Sequence, residues 1–140
     1  MTISLINDLK IKDAGVDRNV TIILEKISVN DNDVTVNFCD CGVDYPATSK
    51  IIDKILSDLS RREGGKSLTI IFDFDINEFV LHKWFFLGSE FFEISEENKD
   101  LTNDDFIRIL NQKLKEYNIH LTIEIQSSRT SQKKILRYGN

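Results

Sequence analysis

Residues 68–74 read Leu68-Thr69-Ile70-Ile71-Phe72-Asp73-Phe74, a largely apolar, β-branched and aromatic run of the kind that forms a buried strand. A few residues later comes Val80-Leu81-His82-Lys83-Trp84-Phe85-Phe86-Leu87-Gly88-Ser89-Glu90-Phe91-Phe92. Seven of the nine phenylalanines and the single tryptophan lie between Phe72 and Phe92, so the centre of the fold is expected here. The second run predicts a helix from about Val80 to Ile94 that is apolar nearly all round. Such a helix is either sandwiched between layers or covers a partner.

Upstream, Ile51, Ile52, Ile55, Leu56 and Leu59 recur at helical spacing, predicting a helix over 46–62. Pro46 suits its first turn and Gly64-Gly65 its end. Before it, Val20, Ile22 and Leu24 alternate, with Ile27 and Val29 out of phase, and Asn30-Asp31-Asn32-Asp33 leads into Val34-Thr35-Val36-Asn37-Phe38. This is a hairpin signal, with a loop expected to exceed two residues. Residues 1–18 are compatible with a short helix or a strand.

Downstream, Thr102 or Asn103 is the expected cap of a helix bearing Phe106, Ile107, Leu110, Leu114 and Tyr117. Asn118 ends it, and Leu121-Thr122-Ile123-Glu124-Ile125 alternates as a strand. The order β-β-α-β-α-α-β predicts an α/β domain, with α+β as the alternative: one sheet of about four to five strands and three to four helices. Residues 1–140 read as a single domain, with 126–140 a basic C-terminal tail or terminal helix.

The 41% hydrophobic and 29% charged fractions are those of a globular chain. No apolar run approaches the roughly 18–20 residues that cross a bilayer, and the N-terminus lacks the pattern of a secretory signal. Cys39-Asp40-Cys41 is too close a pair for an ordinary disulfide, so a reducing cytoplasm is the expected compartment. Charge is unevenly spread. Residues 126–140 carry Arg129, Lys133, Lys134 and Arg137 and no acid, leaving 14 basic against 23 acidic side chains elsewhere, a net of −9. An acidic body argues against a general nucleic-acid binder, whereas the basic end suits an acidic partner or the chain's own acidic body.

Motifs with chemical content are sparse. Phe72-Asp73-Phe74-Asp75 after a strand has the paired aspartates of haloacid-dehalogenase-type phosphatases, but Ile76-Asn77 follows where a threonine or valine is required. Only 65 residues remain in which to complete that fold. Gly64-Gly65-Lys66-Ser67 imitates the end of a phosphate-binding loop, yet the motif's first glycine falls on Ser60 and the segment precedes a strand rather than a helix. Cys39, Asp40, Cys41 and Asp44 with His82 and His120 lack the paired short spacings of structural zinc. No cofactor is implied. One ligand site is compatible with open-sheet topology: Asp73, Asp75, Cys41 and His82 around the central strand's carboxyl end.

Over residues 42–114 the chain resembles the bacterial STAS-like family of unknown function, named after the sulfate-transporter and anti-sigma-factor-antagonist domain. The resemblance is carried by Gly42-Val43-Asp44-Tyr45, the helix with Ile55-Leu56 and Leu59, the strand Leu68 to Asp73, and Phe86-Leu87-Gly88-Ser89-Glu90-Phe91-Phe92. It implies a sheet backed by helices acting as a regulatory docking module, beside an ATPase partner of histidine-kinase type. It does not carry over a phosphorylation switch, since Asp75-Ile76-Asn77-Glu78-Phe79-Val80 holds no hydroxyl where such antagonists have one.

The leading expectation is a small non-catalytic module that binds another protein through Trp84, Phe85 and Phe92, with Arg129, Lys133, Lys134 and Arg137 as a second contact region. A second copy of the chain is a further candidate partner. The alternatives are a phage or mobile-element inhibitor that binds a host complex, and a small ligand-binding domain or enzyme using Asp73 and Asp75.

Overall fold

The computed structural model describes residues 28–30, 32–39, 45–126 and 132–140. The central strand β3 (Lys66–Asp73) buries Lys66, Leu68, Ile70 and Phe72 on one face, as two-residue strand periodicity requires. Strands β2 (Asp33–Cys39) and β4 (Ile119–Gln126) flank it, both parallel to it. Val36, Ile70 and Ile123 lie side by side on that face, as do Phe38, Phe72 and Ile125 two residues further along. Two antiparallel strands, β1 (Ser28–Asn30) and β5 (Lys133–Tyr138), complete a five-stranded sheet in the order β1-β2-β3-β4-β5. The architecture is α/β, as the alternating pattern predicts.

The strand order fixes the layering. Helix α1 (Tyr45–Ser60) connects β2 to β3, and helices α2 (Glu78–Phe85) and α3 (Asn103–Glu116) connect β3 to β4. Both crossovers step the same way across the sheet, so right-handed connections put all three helices on one face. Burial agrees. Val34, Val36, Phe38, Leu68, Ile70, Phe72, Leu121 and Ile123 are buried beneath the helices, while Thr35, Ser67, Thr69, Ile71, Thr122 and Glu124 on the other face are only partly covered.

The stripe of α1 is buried as expected: Ile51, Ile52, Ile55, Leu56 and Leu59 all face the sheet. Just beyond α1, Lys66 is buried at the start of β3 and donates from Nζ to the Arg62 carbonyl at 2.9 Å. Its charge thereby meets a carbonyl just past the end of the helix, offsetting the desolvation of the ammonium while the apolar stem is buried. Helix α3 begins with a capping box. The Thr102 hydroxyl accepts from the Asp105 N–H at 3.2 Å and the Asp105 carboxylate accepts from the Thr102 N–H at 2.9 Å. Donation to the Asp105 carboxylate by the Thr102 N–H, and by the Thr102 hydroxyl at 2.9 Å, holds its pKa below the ordinary value. At the far end Asn118 takes a left-handed φ of 57° and stops the helix.

Three expectations are corrected. The aromatic helix ends at Phe85, not Ile94: Gly88 (φ 84°) and Glu93 (φ 58°) turn the chain, and the Gly88 N–H donates to the Ile94 carbonyl at 2.8 Å. The Asp53 carboxylate of α1 fixes this turn, accepting from the Ser89 hydroxyl at 2.6 Å and the Glu90 N–H at 3.0 Å. Ser89 is therefore a buried turn residue rather than part of a helix body. Burial raises the Asp53 pKa, against the opposing effect of these hydrogen bonds. Second, residues 133–138 form β5 and not a tail or helix. Third, Asn30 pairs with Asp33, so the first hairpin closes through two residues, fewer than its glycine-free loop suggested. The expected alternation over 20–27 lies outside the described residues.

Candidate functional site

The carboxyl ends of the parallel strands are where an open α/β sheet ordinarily binds ligands. Cys39 and Asp73 are neighbours in register there, and Asp73 and Asp75 are exposed. Cys41, with Asp40 and Asp44, lies outside the described residues. Among the described residues no three His, Cys, Asp or Glu side chains are grouped so as to hold a metal ion.

His82 is engaged elsewhere. It is fully buried between α2, α3 and β5, stacked on Phe106 and edge-on to Tyr138. Its Nδ1 lies 2.6 Å from Asn103 Oδ1, and its Nε2 lies 2.8 Å from the Tyr138 hydroxyl. The amide oxygen only accepts, so Nδ1 carries the proton and Nε2 accepts from Tyr138. Neither nitrogen is left for a metal or a proton transfer to substrate, so His82 does not join Asp73 and Asp75 in a site. The ring locks three elements together.

Burial pushes the His82 pKa below its ordinary value, with the Asn103 bond and the Glu78 charge opposing. Burial pushes the Tyr138 phenol upward, aided by Glu78. The unfolded chain therefore takes up a proton near pH 6.5 that the folded chain resists. This contribution to stability is complete above pH 6.5 and declines as pH falls from there toward the lowered folded pKa, no more steeply than about 1.4 kcal/mol per pH unit. Urea unfolding of the native protein and of His82→Gln at a series of pH values checks this. The variant is expected to be less stable at pH 7.5, and its deficit should shrink on acidification.

Of the aromatic residues expected at an interface, Phe85 and Phe92 are core residues, buried against Phe72 and Phe86 respectively. The interface expectation is corrected for these two, because a ring with almost no exposed surface has nothing to offer a partner in this fold. Trp84 does reach the surface, at 45% exposure, as does Phe79 at 41%.

The period of α2 accounts for this division. Leu81, His82 and Phe85 face inward, while Phe79, Val80, Lys83 and Trp84 share the outer side, flanked by half-buried Ile76 and Leu87. The outer side is held in place. Lys83 Nζ donates to the Lys99 carbonyl and sits 5.4 Å from the Phe79 ring centroid, and Phe79 meets Phe106 edge-on at 6.5 Å. Phe79 was not singled out by composition. The signal for it was Lys83, whose charge marks the solvent side of an otherwise apolar segment and hence its neighbour at i−4, Phe79.

Of the expected basic region, Arg129 lies outside the described residues. Lys133, Lys134 and Arg137 lie exposed along β5, with Lys133 paired to Glu124 at 3.2 Å. No helix among the described residues is long and apolar enough to cross a membrane. No protein-family model, curated protein or solved structure compared with the chain matches it.

Proposed function

We propose that this chain is a small non-catalytic cytoplasmic module that works by docking another protein onto the outer face of α2. One observation carries the reading: Phe79 and Trp84 stand exposed at the two edges of the outer side of α2, Phe79 braced by Lys83 and Phe106, while the other phenylalanines of the aromatic segment are buried. Leaving two large rings in water is unfavourable for a protein that acts alone, and Trp is enriched among residues that dominate protein–protein binding energy. A rigid helix presenting them also limits the ordering cost of association. The STAS-like resemblance implies a docking module on separate grounds.

The test compares native protein, Trp84→Ala and Asp73→Asn/Asp75→Asn as baits in the native host, followed by titration of the purified partner. Trp84→Ala is expected to weaken the partner about thirtyfold or more while changing stability by about 1 kcal/mol or less, since Trp84 is half exposed. The double aspartate variant is expected to bind normally. If the aspartate variant alone loses the partner, or if every captured protein ignores Trp84, the ligand-site reading replaces this one.

A further inference from the structure

We infer that the outer edge of β5 accepts an acidic extended segment of another protein as a sixth strand of the sheet. This surface is distinct from the outer face of α2 and does not depend on it.

Strand β5 pairs with β4 on one side, and no described strand lies beyond it. Its outward N–H and C=O groups are therefore a template for strand addition. The edge is preformed. At its end Tyr138 is buried and bonded to His82 at 2.8 Å, and the Gly139 N–H donates to Asn111 Oδ1 at 2.7 Å. These anchors hold the strand in register with β4, so a partner meets an ordered edge rather than having to order one.

The side chains along this edge select its occupant. Lys133, Ile135 and Arg137 alternate on the open face of the sheet and Lys134 lies on the helical face, all exposed. Lys133 has Glu124 beside it. Lys134 and Arg137 have no ion pair among the described residues, in a protein whose net charge is −5. Edge lysines repel basic strands, and the cost of desolvating them disfavours apolar strands that would add indiscriminately. An incoming strand with carboxylates opposite Lys133 and Arg137, and a β-branched residue opposite the 38% exposed Ile135, reverses that repulsion. The recognised pattern is acid-x-aliphatic-x-acid, which reads the same in either strand direction. A second copy of this chain fits poorly. Pairing β5 with itself about Ile135 sets Lys133 against Arg137, cation facing cation.

The probe is the blocked peptide Thr-Glu-Thr-Val-Thr-Glu-Thr, titrated into the ¹⁵N-labelled full chain and followed by amide shifts and hydrogen exchange. Shifts and added protection are expected along Lys133–Arg137. Replacing both peptide glutamates with lysine, or introducing Lys133→Glu/Arg137→Glu into the protein, is expected to weaken binding about tenfold or more. An N-methylated peptide of the same charge is expected not to bind, because it cannot form the strand ladder. Trp84→Ala is expected to bind the peptide normally, which separates this inference from the α2 proposal. Absence of shifts at β5 overturns the inference, as does equal binding of the N-methylated peptide. Tighter binding of a single-stranded oligonucleotide at the same residues also overturns it, by making the edge a phosphate contact.

Discussion

Replacing Phe72 with alanine is expected to lower the unfolding free energy by about 3–5 kcal/mol. Phe72 is fully buried on the middle strand, stacked on Phe38 at 5.7 Å between ring centroids, edge-on to Phe74 at 5.6 Å and 4.7 Å from Phe85 of α2. It therefore joins β2, β3 and the aromatic helix in one cluster, and its removal leaves a cavity that rigid rings cannot collapse to fill. Domains of this size have only about 5–15 kcal/mol in hand, so the thermal midpoint should fall by roughly 10–20 °C. Phe79→Ala, on the outer face of the same helix, is the matched control and should cost about 1 kcal/mol. Urea titrations of the two variants decide the point, and equal costs would show that Phe72 is not the centre of the core.

Among the described glycines, Gly139→Ala is expected to be the most damaging substitution, at about 2–4 kcal/mol. Gly139 has a φ of 82°, and a Cβ placed on it would lie 2.3 Å from the Ile119 carbonyl oxygen and 3.0 Å from Leu114 Cβ. A backbone oxygen of β4, beside its antiparallel partner β5, cannot step aside as the tip of a side chain can. The chain end must move instead, pulling the Gly139 N–H from Asn111 and the Tyr138 hydroxyl from His82. Gly64 has nearly the same φ, 81°, but its nearest neighbour would be the Asn32 side-chain nitrogen at 3.9 Å. Gly64→Ala thus carries only the conformational cost, about 1 kcal/mol. Thermal unfolding of both variants separates steric from conformational effects. Similar losses would contradict the crowding at Gly139.

The fold was legible wherever one side of an element faces water and the other the core. The alternation around Ile70 and Ile123, the stripe of Ile51, Ile55 and Leu59, and the capped start of α3 all follow from that one-sidedness. The end of α2 was only partly legible. Val80 to Phe92 is apolar enough to continue a helix, and Gly88 is the local mark of its end. The turn that follows is held by Asp53, reaching from another helix to Ser89 and Glu90. Strand β5 was hidden because an edge strand with lysines at 133 and 134 shows no apolar alternation, and its anchor, His82, is 56 residues away from Tyr138.

The candidate surface was half legible. Trp84 was identified, but neighbouring Phe85 points the other way, and composition cannot separate two adjacent rings that only helical phase distinguishes. Phe92 followed from a helix that had already ended.

Trp84 is the only tryptophan in the chain, so its fluorescence reports on the outer face of α2 without interference from another indole. The decisive measurement is acrylamide quenching of that emission, for the free protein and for its complex with the partner captured from the native host, that partner expressed with phenylalanine in place of any tryptophan. Free, a half-exposed indole quenches readily. The proposal predicts a blue shift and a severalfold fall in quenching on complex formation, because the partner covers the ring. A saturated complex in which Trp84 quenches as freely as before would contradict docking on α2.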